Sequence, residues 1–240
     1  MGEGPVNRVN GGYRGDEPSV QRVSPIYRAY RVRETMLSRK PRQSSVQVAG
    51  GFVLLVVATS LAGWWRGGAF LPMLEAGQTA VNGPDYWRLM TAIGVHSDLE
   101  HLFSNLIFLG PLGYLLYGYF GGWIFPALGV ALGALTNYVS LLTYPPGTSV
   151  LGASGLVYWM AGFWLTMYLA VERTLSPGKR VMRALGIALV ILVPTSYEAG
   201  VGYRAHAIGF GLGALAAYFY FSSNRRRIRA AEVLEAEWEE

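Results

Sequence analysis

The chain has 240 residues, 52% of them hydrophobic and 15% charged, with a mean hydropathy of +0.28 and a net charge of +5. A soluble domain carries roughly 25% charged residues. Here the charges also gather in blocks, leaving apolar runs of about 20 residues, enough to cross a hydrocarbon core of roughly 30 Å. A soluble globular domain is therefore excluded, and with no cysteine so are disulfides, thiolate nucleophiles and cysteine metal sites.

Residues 1–45 are polar and punctuated by Gly and Pro, with nine Lys/Arg against four Asp/Glu. They read as a basic, disordered tail with a short helix near Tyr27–Met36. The tail is too long and polar for the charged start of a cleaved signal peptide, so the first apolar run is expected to stay as an anchor. Six spans follow over 46–65, 100–119, 122–143, 151–171, 182–197 and 203–222, making a core at 46–222. The 34-residue loop after the first span carries Trp64, Trp65, Phe70, Met73, Tyr86 and Trp87, an interfacial composition that predicts short helices in the headgroup region. Residues 223–240 form a second charged tail, whose acidic end reads as a solvated helix.

Lys and Arg placement sets orientation. Seventeen lie in the two tails and the 172–183 loop, against only Arg66, Arg88 and Arg204 on the other side. Both termini are therefore expected in the cytoplasm. The basic balance reports topology and attraction to lipid rather than nucleic-acid binding, so the bilayer is the expected partner and nucleic acid is not.

Ionisable groups inside spans are costly and mark functional sites. The three histidines, His96, His101 and His206, all fall near the outer face. His101 and Asn105 are four apart and share one face of the second span. Ser154 and His206 are each about the fourth residue of a span entering from outside, so both lie on the order of 6 Å below the surface. Gly209 and Gly213 after His206 form a small-xxx-small face, and Gly155 follows Ser154, so the two helices can approach closely.

These residues resemble rhomboid intramembrane serine proteases over 46–222. Gly152-Ala153-Ser154-Gly155 is similar to the GxSG motif, with Ser154 the nucleophile. His206-Ala-Ile-Gly209-Phe-Gly-Leu-Gly213 resembles HxxGxxxG, with His206 the general base. His101-Leu-Phe-Ser-Asn105 resembles HxxxN, whose side chains help to bind the oxyanion with the Ser154 N–H. Trp87-Arg88 is similar to a structural loop motif, Tyr158 to an aromatic that packs on the catalytic histidine, and His96 to a recurrent structural position. Gly152 is read as leaving room for substrate backbone beside the nucleophile.

The resemblance implies an all-α six-span bundle of the prokaryotic type in a plasma membrane, with its site opening outward. It implies cleavage of single-span transmembrane substrates through an acyl-enzyme, with no cofactor and no metal. No carboxylate is placed to orient the imidazole, so the reactive pair is a dyad. Two other readings compete. A non-catalytic client-binding protein could use the same fold, and His96, His101 and His206 could ligate a metal or haem. The second leaves Ser154 and Asn105 without a role.

Overall fold

The computed structural model describes residues 29–192 and 202–237. Five of its helices are long and apolar enough to cross a membrane. The first is α1 (Ser45–Gly68), regular until Trp65, where the backbone leaves helical geometry and Arg66 takes φ 54°. Three short helices then occupy the interfacial loop: α2 (Leu71–Leu74), α3 (Thr79–Asn82) and α4 (Arg88–Gly94). Next come α5 (Leu99–Phe120), then α6 (Gly129–Thr143) entered through a wide turn at Trp123–Leu128, and α7 (Ser154–Val171). The last two are α8 (Pro177–Leu192) and α9 (Tyr203–Arg229). The span expected at 182–197 coincides with α8 as far as Leu192, and its remainder lies outside the described residues.

The bundle is built around α7. Trp159, Met160, Ala161, Phe163 and Met167 are all fully buried, so this helix is the most enclosed of the long ones, with Leu169 exposed near its far end. By contrast α1 exposes Leu54, Leu55 and Leu61, which face the surroundings as lipid-facing residues do. The closest packing is α7 against α9. A methyl group on Gly209 would overlap the Gly155 carbonyl, one on Gly213 the Trp159 carbonyl, and one on Gly162 the Phe210 carbonyl. These absent side chains bring the two backbones into direct contact. An apolar cleft of about 480 Å³ lies between α5 and α8, with Phe108, Leu112, Trp164 and Ile187 on its walls.

The tails differ from the sequence expectation. Residues 29–34 form a strand, β1 (Ala29–Glu34), rather than a helix. It pairs antiparallel with β2 (Val233–Glu237) from the far end of the chain, where a solvated helix was expected. Arg31 faces Glu235 across the pair, Val32 faces Leu234, and Arg33 bonds Glu235 at 3.3 Å. The physical reason is non-local: the charges of each tail find opposite charges in the other. A 3-10 turn at Met36–Ser38 follows, and the Tyr119 hydroxyl donates to the Leu37 and Arg39 carbonyls. The disordered tail expected before residue 29 lies outside the described residues. At the other end, α9 runs on to Arg229 instead of stopping at 222. Glu232, with a side chain only 7% exposed, then bonds both Arg229 (2.6 Å) and Arg173 (3.2 Å).

Candidate active site

Ser154 is the first residue of α7, not the fourth of its span, because the chain bends at Gly152 and Ala153 before the helix begins. Gly152 has φ 106°, which no helix tolerates. The first loop holds this stretch by its backbone: Val150 N–H donates to Ala76 O (2.8 Å), Ala76 N–H to Val150 O (3.0 Å), and Gly152 N–H to Ala92 O (2.8 Å). Ala153 N–H donates to His96 Nε2 at 3.1 Å. Ser154 is therefore carried at a helix N-terminus, where the leading N–H groups have no partner within the helix.

His206 sits in the first turn of α9, as its sequence position predicts. Gly209, one turn on, rests on the backbone of Gly155, the residue after the serine. Tyr158, one turn along α7 from Ser154, lies flat on the imidazole, with ring centroids 4.0 Å apart and planes 8° from parallel. Tyr203 meets the same ring edge-on at 6.0 Å. Ser154, Tyr158 and His206 are thus gathered at one end of the α7–α9 contact. His206 Nδ1 is buried without a hydrogen-bond partner among the described residues, so the ring is oriented by packing. No hydrogen bond joins Ser154 to His206 among the described residues; such contacts are often long before substrate binds.

His101 comes in from the first turn of α5. Its imidazole fills the space that a side chain at 152 would take, with Cε1 and Nε2 both 2.7 Å from where that Cβ would be. The room at Gly152, read from sequence as space for substrate, is taken by His101. Its Nδ1 contacts Ser97 Oγ at 3.2 Å, and that hydroxyl donates to Asp98 at 2.7 Å. Asp98 also caps α5 by accepting from His101 N–H (2.8 Å), and these hydrogen bonds hold its carboxyl below the usual carboxylate range. Asn105 is buried, and its amide nitrogen donates to His101 O (2.8 Å), which leaves one amide N–H uncommitted.

Gly155 serves two neighbours. Its carbonyl meets Gly209 of α9, while its missing side chain makes room for Thr136 of α6, 3.0 Å from where a Cβ would stand. Trp87 and Arg88 brace the loop: Arg88 donates to Pro72 O (2.9 Å), pairs with Asp85 (3.5 Å) and lies over the Trp87 ring. Asn137 of α6, which the sequence did not single out, donates to Leu89 O (2.9 Å) and holds α4 against the bundle.

His96 has more to do than its sequence position suggested. It is fully buried, between Ser60 Oγ on Nδ1 (3.0 Å) and the Ala153 N–H on Nε2, with its ring 4.9 Å from that of His101. It lies in the α4–α5 connection, and burial, then the nearby His101, pushes its pKa down to about 3. Both ring nitrogens are used, so the three-histidine metal or haem reading loses one of its ligands.

A polytopic helical membrane bundle with a serine and a histidine on its two most closely packed helices is the class that fold and site define. The Rhomboid domain model matches residues 83–223, and the chain belongs to the Rhomboid family of integral membrane proteins. It is 28% identical over 151 residues to Rhomboid-related protein 2 of Mus musculus, covering 57% of this chain and 48% of that protein. It is 32% identical over 129 residues to RHOMBOID-like protein 5 of Arabidopsis thaliana, covering 53% and 41%. The chain spans about half the length of the curated relatives it matches.

Proposed function

We propose that this protein is an intramembrane serine endopeptidase in which Ser154 and His206 act as a catalytic dyad. The observation that carries the reading is the Tyr158–His206 stack, which sets the imidazole one helical turn from Ser154 while Gly209 seats its helix on Gly155. His206 takes the Ser154 proton on Nε2, the nitrogen not shut away by burial. The serine oxygen adds to the scissile carbonyl. His206 then passes the proton to the leaving amine, and water, activated by the same imidazole, hydrolyses the acyl-enzyme.

The oxyanion receives the Ser154 N–H, the free amide N–H of Asn105 and the imidazole of His101. One such donor is worth about 3–4 kcal/mol in a soluble protease. The Ser97 proton now points at Asp98, so neutral His101 would carry its own proton on Nδ1. For Nε2 to donate, the Ser97 hydroxyl turns to Nδ1 or the ring takes a second proton. Substrates are single-span membrane proteins cut near the outer face. The charge count supports a site open to the outside, with both termini in the cytoplasm.

The test is cleavage of a single-span reporter by the full chain in detergent micelles. Wild type should cut it, while Ser154→Ala and His206→Ala should not. Cleavage that survives Ser154→Ala removes the proposal. Reporter bound with measurable affinity but never cut by wild type favours the client-binding reading.

A further inference from the structure

We propose that His96 is a positioning residue for the nucleophile, a neutral imidazole protonated on Nδ1 that holds the Ala153 N–H and so fixes where Ser154 begins α7. The inference rests on Ser154 being the nucleophile. An N–H can donate only into a lone pair, and Ala153 N–H points at His96 Nε2 from 3.1 Å. That nitrogen is therefore unprotonated. The ring proton must sit on Nδ1, where it donates to Ser60 Oγ at 3.0 Å, and the Ser60 hydroxyl in turn donates to Gly94 O at 3.1 Å. Each donor in this chain has one acceptor.

The three residues at 60, 96 and 153 are fully buried, so no water competes for these bonds. Trp64 Nε1 donates to His96 O at 2.7 Å and holds the backbone from which the ring hangs. Burial also keeps the imidazole neutral, as accepting on Nε2 requires. The effect is to tie α1, through one side chain, to the peptide bond just before the serine.

The neighbouring pins are all backbone to backbone, from Ala76 to Val150 and from Ala92 to Gly152. The Ala153 pin alone among them is a side chain, so it is the one that substitution can remove. Without it Ala153 carries a buried N–H with no acceptor, relieved only by moving the peptide. Ser154 moves with that peptide, away from His206 and from the oxyanion donors. A 1 Å displacement of a reacting group can cost on the order of 100-fold in rate.

Two variants separate positioning from bulk packing. In His96→Gln the side-chain oxygen can reach the place of Nε2 and accept from Ala153. In His96→Asn the side chain reaches only as far as Nδ1, so Ser60 keeps a partner and Ala153 loses one. With the single-span reporter, His96→Gln should stay within about tenfold of wild-type kcat, and His96→Asn should lose on the order of 100-fold with KM little changed. Thermal midpoints of the two variants should lie close together. Equal kcat in both, or losses that simply track the thermal midpoint, overturn the proposal.

Nitrogen-15 NMR of histidine-labelled wild type reads the contact independently of activity, since the chain has only three histidines. The signals missing from His96→Gln should be those of an Nδ1–H ring with a hydrogen-bonded, unprotonated Nε2. An Nε2–H ring there overturns the positioning contact even if cleavage by Ser154 stands. Wild type that cuts nothing, with the Nδ1–H ring in place, instead overturns the protease reading and the positioning role of His96 with it.

Discussion

Gly209→Ala adds one methyl group where it can do most harm. The new Cβ would overlap the Gly155 carbonyl oxygen and stand 3.3 Å from its carbon and 3.4 Å from Trp159 N. All three are backbone atoms of α7, so no rotamer change relieves the contact. Ordinary carbon contacts lie near 3.5–4.0 Å, so the helices must part locally by roughly 1 Å. Overpacking of this kind costs about 1–3 kcal/mol. Replacing a mid-helix glycine returns about 0.5–1 kcal/mol of that, so the net stability loss is at most about 2.5 kcal/mol. Catalysis should suffer more than stability, because His206 lies one turn from the wedge and a 1 Å error costs on the order of 100-fold. Gly211→Ala is the matched control: nothing lies within 4 Å of its added carbon, so it should be as active as wild type and slightly more stable. Thermal unfolding in micelles and initial rates on the single-span reporter read both effects. A fully active Gly209→Ala, or a Gly211→Ala as impaired as Gly209→Ala, refutes the close contact as the device that brings His206 to Ser154.

Gly152→Ala should be inactive and less stable, since a Cβ there meets His101 at 2.7 Å and the residue holds φ 106°; the left-handed geometry alone costs about 1–2 kcal/mol. Tyr158→Ala forfeits a ring contact worth about 0.5–1.5 kcal/mol and should lower kcat more than it raises KM. Glu232→Gln should lower the thermal midpoint with kcat unchanged, because it unties Arg229 and Arg173 at the end of α9 opposite His206. The loss should stay near 1 kcal/mol, since both arginines are partly exposed. His96 predicts an acid limb of stability. Its pKa is about 3 in the fold against 6.5 free, so the unfolded chain binds the extra proton in that interval. The contribution is whole above pH 6.5 and declines as pH falls towards 3. Unfolding measured across that range should show a shallower slope in His96→Gln than in wild type.

Much of the architecture was legible because lipid imposes length and apolarity on each span, and a glycine stripe means close packing wherever it occurs. The positions of His206 and of the Gly209 contact followed from that logic. Ser154 was misjudged by three residues, since hydropathy continues through Val150 and Leu151 while the backbone does not. The helix is stopped by the positive φ of Gly152 and by acceptors at Ala92 and His96, which are distant in sequence. The β1–β2 pair was hidden for the same reason: Arg33 and Glu235 are 202 residues apart, and each tail alone reads as a solvated charged segment. Ser60 carried no signal at all, a hydroxyl in an apolar helix that acquires its role only through His96. Gly152 was recognised as a place needing room, but sequence could not say that His101 fills it.

In the proposed dyad Ser154 is a nucleophile because His206 removes its proton. A fluorophosphonate that reacts with activated serines, followed by peptide mapping of the full chain in micelles, tests this without any choice of substrate. Wild type should form one adduct, on Ser154, and His206→Ala none. An adduct on another serine, or undiminished labelling of Ser154 in His206→Ala, contradicts it.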